Sequence, residues 1–372
     1  MMKEKINLGI IFGGRSGEHE VSLMSAASVL SVLDREKYNI TCIGIDKSGV
    51  WWSGENVLEA LQKRMTNSLD RVFLLPEPGR NVLYKRTLTD SNEQIDPLVE
   101  LDVVFPILHG TFGEDGTMQG FFEMADIAYV GAGVLGSSVG MDKGVFKDVM
   151  RSHDIPVVDW LTFTRKDIIE DIDLVINKCE ALASYPLFVK PANLGSSVGI
   201  SKVKNHSDLV EGLIEAALYD RRILVEKGLD AREIEVSVLG NETCKASVAG
   251  EIKPAEEFYS YNAKYINDNS ELCIPADIPD DIARKIHDIS IRAYKAIDCA
   301  GLTRVDFLLE RNTNRIFLNE VNTIPGFTSI SMYPKLWEHS GLPYPDLIDQ
   351  LIDLAFERKQ ERNKSKRTFG EN

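Results

Sequence analysis

Positive charge is scarce in this chain of 372 residues, where 42 lysines and arginines face 57 aspartates and glutamates, a net charge of −15. A polynucleotide wants the reverse balance, so nucleic acid is not expected as a partner; a small anion needs only a local positive site. Cysteine is sparse as well. The five (Cys42, Cys179, Cys244, Cys273 and Cys299) are odd in number, scattered and without a C-x-x-C pair. That argues against a disulfide framework and for reduced thiols in a cytoplasm. The six histidines lack zinc-type spacing. No stretch approaches the ~20 apolar residues of a spanning helix, so no membrane partner is expected. The start, MMKEKINLGIIFGG, lacks the longer apolar run of a secretory signal. The P-loop word G-x-x-x-x-G-K-[ST] is missing too. What is there is 44% hydrophobic residues, enough for two or three domains with a sizeable core.

The apolar runs alternate with glycine loops and helical patterns. INLGIIF (6–12) predicts a buried strand, GGRSGEHE a turn, and VSLMSAASVLSVL (21–33) a helix. YNITCIGID and LDVVFPIL (101–108) predict further strands; the second runs into HGTFGEDG and the helical MQGFFEMA. This order predicts a parallel sheet with ligands at the strand C-terminal ends, where Glu18, His109, Glu114 and Asp115 fall. Further on come the acidic helix DIIEDIDLVINKCEALAS and the strands YPLFVKP, ILVEKGL (223–229), EIEVSVLG, KASVAGEI, RVDFLLE and RIFLNEVN. The helix DIARKIHDISIRAYKAI lies among the later strands, and the polar, basic tail RKQERNKSKRTFGEN reads as a frayed end.

Two glycine-rich words need weighing. GAGVLG (131–136) fits G-x-G-x-x-G, but the acidic residue that a dinucleotide site places about 20 positions on would fall near Arg151, inside a helical stretch. A turn between strand and helix accounts for it better. GSSVG occurs twice, at 136–140 and 195–199, with different flanks, so chance convergence on glycine-serine loops fits better than a repeat. In FVKPANLGSSVGIS (188–201), Lys190 ends a strand; Gly195, Ser196, Ser197 and Gly199 offer backbone N–H groups and hydroxyls to phosphate oxygens. A plain flexible hairpin is the alternative. In ILVEKGLDAREIEV, backbone after Glu226-Lys227 could pair with an adenine edge, and Glu233 could take ribose hydroxyls.

IFLNEVNTIPGFTS (316–329) is an apolar strand interrupted by Glu320 and Asn322, which share one face because a strand repeats every two residues. LTRVDFLLE (302–310) likewise puts Arg304 and Asp306 on one face. With a turn near Thr313 the two strands form a hairpin that sets Asp306 opposite Glu320. Oxygens of Asp306, Glu320 and Asn322 together would suit Mg²⁺ holding a substrate's phosphates. A salt bridge from Arg304 to one acid is the simpler alternative, and it leaves the other acid unexplained.

Taken in order, GGRSGEHEVS, HGTFGEDGTMQG, MDK, VKPANLGSSVG, EFYSYNAKY, TRVDF and NEVNTIPGFTS resemble the ATP-grasp superfamily, and within it the D-alanine–D-alanine ligases. The resemblance covers nearly the whole chain. It implies an α/β protein of three-part ATP-grasp architecture. These parts are an N-terminal parallel α/β domain (1–131), a central lid domain (132–225) and a C-terminal α+β domain with the metal site and ω-loop (226–372). The implied activity is ATP-dependent joining of two D-alanines through a D-alanyl phosphate, for peptidoglycan precursor synthesis. Another carboxylate–amine ligase of the group, such as a D-alanine–D-serine ligase, is the alternative. A dehydrogenase using GAGVLG would leave the acidic hairpin without purpose, and a non-catalytic nucleotide-binding protein would not need Lys190, Arg304 and Asp306 together.

The resemblance also assigns roles. Lys143 and Lys190 match lysines that grip ATP phosphates, and Ser197 lies in the lid over them. Glu226, Lys227, Leu229 and Glu233 match adenine and ribose contacts, and Asp306, Glu320 and Asn322 match ligands of two Mg²⁺ ions, with Mn²⁺ as a substitute. Arg304 and the N–H of Gly326 match the oxyanion donors. Glu18 matches the anchor of the first D-alanine's ammonium, with His109 nearby, and Ser331 matches a contact to the second substrate's carboxylate. The ω-loop YSYNAKY (259–265) would bring Lys264 to the phosphate, and Tyr265 into a clasp with Ser196 and Glu18. Tyr265 and Met332, which follows Ser331, favour D-alanine as second substrate. Asn262 departs from the acidic residue many members carry in that loop. A cytoplasmic homodimer is implied.

Overall fold

The computed structural model describes residues 5–88, 92–195, 198–253 and 271–366. Its first strand, β1 (Ile6–Gly13), is buried on both faces, as its apolar run requires. Leu8, Ile10 and Phe12 point into one core cluster, and Ile11 points into another with Ile43, Val104, Phe122 and Tyr129. β2 (Tyr38–Ile45) and β7 (Val103–Ile107) flank β1 in parallel, and β8 (Ala128–Tyr129) follows β7. This is the expected parallel unit, with the helices His19–Val32 and Thr117–Ala125 as crossovers.

The same sheet continues in an unexpected way. β3 (Trp51–Ser53), β4 (Asp70–Leu74), β5 (Val82–Leu88) and β6 (Glu93–Glu100) add antiparallel strands, giving the order β6-β5-β4-β3-β2-β1-β7-β8. For two of these pairs the link is the reason. Residues 46–50 joining β2 to β3, and 75–81 joining β4 to β5, are too short for a parallel crossover of a dozen or more residues.

A second, all-antiparallel sheet has the order β11-β10-β12-β9, from β9 (Trp160–Thr164), β10 (Leu187–Pro191), β11 (Ser201–Val203) and β12 (Arg222–Lys227). The acidic helix expected beside it is two helices, Arg165–Glu170 and Ile172–Leu182. Asp171 breaks it by leaving helical backbone and accepting a hydrogen bond from the Leu174 N–H at 2.9 Å.

The third sheet runs β16-β15-β13-β17-β18, with β14 also on β13. Its strands are β13 (Ala231–Gly240), β14 (Cys244–Ala246), β15 (Gly250–Lys253), β16 (Glu271–Cys273), β17 (Gly301–Glu310) and β18 (Ile316–Asn322). KASVAGEI is thus two strands rather than one. The first GSSVG word lies inside the helix Val134–Met141, not in a loop.

Packing ties the first and third sheets together. The C-terminal helices Met332–His339 and Tyr344–Asn363 lay Tyr333, Trp337, Leu347, Leu351 and Ile352 against Leu8, Ile10, Val103 and Phe105 of the first sheet. Phe146 and Met150 of the helix Lys143–Ser152 pack with Ile286, Phe307 and Val321 of the third-sheet core. The three-part division at 131 and 225 stands as our proposal; β12, which runs on to Lys227, continues the second sheet two residues past it. Among the described residues, no helix is long and apolar enough to cross a membrane.

Candidate active site

The loops after β1 and β7 meet at Glu18. A Cβ on Gly110 would lie 2.4 Å from Glu18 Oε2, and one on Gly195 2.7 Å, so only glycines admit this carboxylate. Gly110 also has a φ of +74°. Beside Glu18, the half-buried Glu114 accepts from the Gly110 N–H (2.6 Å) and the Ile324 N–H (3.1 Å). Burial, and then the charge of Glu18, push the Glu114 carboxyl up to about 8.

His109 bridges the same two parts of the chain. Its Nδ1 lies 3.0 Å from the Ile324 carbonyl, which can only accept, so Nδ1 carries the proton. Nε2 then accepts from Ser25 Oγ at 3.0 Å, and that oxygen accepts in turn from the Phe327 N–H at 3.2 Å. Burial lowers the His109 pKa, consistent with a neutral ring in this network. Three side chains from the N-terminal part thereby hold the backbone on both sides of Gly326.

The hairpin forms with Asp306 paired to Glu320 and Arg304 to Asn322, and a bulge at Asn319 shifts the register beyond. β13 extends the row, since Glu235 pairs with Asp306. Three carboxylates on adjacent strands therefore lie side by side, and Arg304 neutralises two of them. Its guanidinium grips Asp306 in bidentate fashion (2.7 and 2.6 Å) and lies 3.1 Å from Glu235 Oε2. Asn322 Nδ2 donates to Asp306 Oδ2 at 2.9 Å, and Glu320 Oε2 is 3.6 Å from Lys143 Nζ. The salt bridge from Arg304 is thus present, and it leaves Glu320 directed at a lysine. Among the described residues, no group of three or more His, Cys, Asp or Glu side chains could hold a metal ion by itself. Two carboxylates and an amide oxygen suit Mg²⁺, which keeps waters and takes its remaining ligands from phosphates.

Lysines cluster opposite the hairpin. Asp142 caps the helix Lys143–Ser152 by accepting from the N–H groups of Gly144 and Val145. Lys143 Nζ donates to the Leu194 carbonyl at 2.9 Å, at the mouth of the glycine loop. Lys190 Nζ donates to Glu226 Oε2 at 2.7 Å, and Lys147 Nζ sits 3.1 Å from Glu226 Oε1. Burial alone would raise the Glu226 pKa, but Lys147 and Lys190 bring it down to about 2. Lys227 is exposed, Leu229 and Glu233 are half-buried, and Glu233 helps keep Lys190 protonated.

On the remaining side, a Cβ on Gly326 would lie 2.7 Å from Ser331 Oγ. Ser331 Oγ accepts from the Thr328 N–H at 3.0 Å. Met332 stands apart: its side chain is buried with Ile252 and Leu336 beneath Gly250, facing core. Ser196, Ser197, Lys264 and Tyr265, with the loop 259–265, lie outside the described residues. Sequence reasoning missed Ser25, Lys147 and Glu235 and gave Glu114 no role. Only Lys147 carried a signal, four residues from Lys143 and so on the same helix face.

Known proteins are similar to this chain along nearly its whole length. The family model for the D-ala D-ala ligase N-terminus matches residues 7–132, and that for the D-ala D-ala ligase C-terminus matches 149–353. A D-alanine–D-alanine ligase of Natranaerobius thermophilus is 50% identical over 99% of this chain and 100% of its own. The solved D-alanine–D-alanine ligase of Coxiella burnetii is 38% identical, with a TM-score of 0.81 over 97% of each chain. The VanG D-Ala:D-Ser ligase of Enterococcus faecalis is 33% identical, with a TM-score of 0.83 over 95% of this chain and 100% of that one.

Proposed function

The chain belongs to the D-alanine–D-alanine ligase family, and we propose that it joins two D-alanines into D-alanyl-D-alanine, using ATP and releasing ADP and phosphate, for peptidoglycan precursor synthesis. One observation carries the reading. A single strand and its continuation reach both halves of the site, for Glu320 lies beside Lys143 while Ile324, four residues on, is held by His109 and Glu114. A group moving from nucleotide to amino acid would cross that short distance, with Arg304 beside it.

In the proposed reaction the γ-phosphoryl passes to the carboxylate of the first D-alanine, whose ammonium Glu18 anchors. The amine of the second D-alanine attacks the acylphosphate carbon, and phosphate leaves. Lys143 and Lys190 hold the ATP phosphates, and Glu226, Lys227, Leu229 and Glu233 the adenosine. Asp306, Glu320 and Asn322 would hold Mg²⁺, two ions in this reading, and the bound metal neutralises charge on the transferring group. Arg304 and the Gly326 N–H face the oxyanion of the tetrahedral intermediate, where a donor contributes on the order of 3 kcal/mol. Ser331 takes the second carboxylate, and the roles that the family resemblance gives Ser196, Ser197, Lys264 and Tyr265 would keep water from the acylphosphate. Met332, packed in core beneath Gly250, takes no direct part. We place the enzyme in the cytoplasm as a homodimer.

ADP release from ATP and Mg²⁺, with products identified by mass, tests the reading. D-Alanine alone should give the dipeptide. Preference for D-alanyl-D-serine in a mixture would move the chain to the D-serine branch, and no turnover with any D-amino acid would overturn the reading.

A further inference from the structure

The proposed function uses Lys190 for the phosphates of ATP, yet in the structure that lysine is hydrogen-bonded to Glu226 at 2.7 Å. Glu226 is only 3% exposed. A buried carboxylate that loses its partner is strongly destabilising, so Lys190 could not turn to a nucleotide freely if it were the sole counter-ion. It is not the sole one. Lys147, fully buried one helical turn beyond Lys143, faces the other carboxylate oxygen at 3.1 Å, off the hydrogen-bonding direction.

Their positions fix a division of labour. Glu226 on β12 pairs with Phe188 of β10 and Trp160 of β9, while Lys190 pairs with Leu224, so Lys190 reaches Glu226 diagonally along the sheet. Lys147 reaches it from the helix above, its ammonium 5.9 Å from the Trp160 ring centre. Glu233, the ribose contact of the reading, also attracts Lys190, and Glu320 attracts both lysines. Lys147, closed off from solvent, has Glu226 as its nearest anion. We propose that Lys147 is a positioning residue for the nucleotide: as the standing counter-ion of Glu226, it lets Lys190 leave that carboxylate for the phosphates of ATP. This rests on the ligase reading for the roles of Lys190 and Glu226.

The test is a binding cycle on the full chain. Without Lys147, the Glu226 charge holds Lys190 back, so Lys147→Met should weaken ATP about tenfold or more but adenosine less than about threefold. In a Glu226→Gln background no carboxylate needs a counter-ion, and the same substitution should then cost ATP less than about threefold. Equal losses for ATP and adenosine, or a full loss persisting beside Glu226→Gln, would mean a merely structural lysine and overturn the proposal. Should Lys147→Met fail to fold, a crystal structure of the unaltered enzyme with ATP decides. Lys147 should stay on Glu226 with Lys190 at the phosphates; Lys190 still on Glu226, or Lys147 at the nucleotide, overturns it. A chain that shows this cycle but forms no dipeptide would sink the ligase reading alone. A working ligase whose ATP affinity ignores Lys147 would sink only the lysine's role.

Discussion

His109 donates from Nδ1 to the carbonyl of Ile324, 215 positions along the chain, at 3.0 Å. This bond joins the loop after a parallel strand to the turn that ends the acidic hairpin. Ser25 and Glu114 add two more bonds to the same turn, so Gly326 sits on a backbone held from the N-terminal side.

Ser25→Ala should therefore cost more than a lost hydroxyl. It leaves the buried His109 Nε2 and Phe327 N–H each without a partner, a destabilisation of about 1–3 kcal/mol. Urea unfolding measures it, and turnover should fall as Gly326 loosens. An unchanged unfolding midpoint would show that the relay contributes little.

Glu114 sets a pH dependence of stability. Its carboxyl is raised from 4.5 to about 8 in the folded protein. Between those values the native state keeps a proton that the unfolded chain has lost, so stability falls as pH rises through this window. The slope for one such group is at most about 1.4 kcal/mol per pH unit. Glu114→Gln should flatten that decline; an identical pH profile would mean that Glu114 is ionised in the fold.

Arg304→Lys keeps the charge but cannot grip Asp306 with two parallel bonds. Turnover should drop about 10²- to 10³-fold through the lost oxyanion donor, with the circular-dichroism spectrum retained. A loss below about fivefold would remove Arg304 from that role.

Gly326→Ala puts a methyl 2.7 Å from Ser331 Oγ and displaces a hydroxyl bonded to Thr328. The expected loss in kcat/KM for the second D-alanine is about tenfold to hundredfold, with little change in melting temperature. Equal loss for the first D-alanine would place Gly326 elsewhere in the reaction.

Chelation with EDTA should abolish turnover, and Mg²⁺ should restore it. Glu320→Ala should not be restored by any Mg²⁺ concentration while keeping its fold. Recovery in excess Mg²⁺ would reduce Glu320 to a partner of Lys143.

The hairpin was legible because its information is local. A turn near Thr313 fixes which residues pair, and two-residue spacing fixes which face they share, so Asp306 opposite Glu320 followed from the residues themselves. Glu235 was not legible, for its place beside Asp306 depends on a pairing between strands some 70 residues apart, which no local pattern encodes. Lys147 was visible as a helix-face neighbour of Lys143, but nothing in a lysine-bearing helix announces that one ammonium is sealed from water. The antiparallel half of the first sheet escaped for a related reason: short links rule out parallel crossovers without saying which sheet the strands will join.

The seating of the C-terminal helices on the first sheet bears on how the chain is made. Leu8, Ile10 and Phe105 find part of their cover in Trp337, Leu347 and Leu351. A nascent chain that has exposed its first sheet must wait for residues beyond 350 to leave the ribosome before that core can close. Until then the newborn protein carries a bare apolar face, where chaperones would bind and where a premature stop would leave an aggregating fragment.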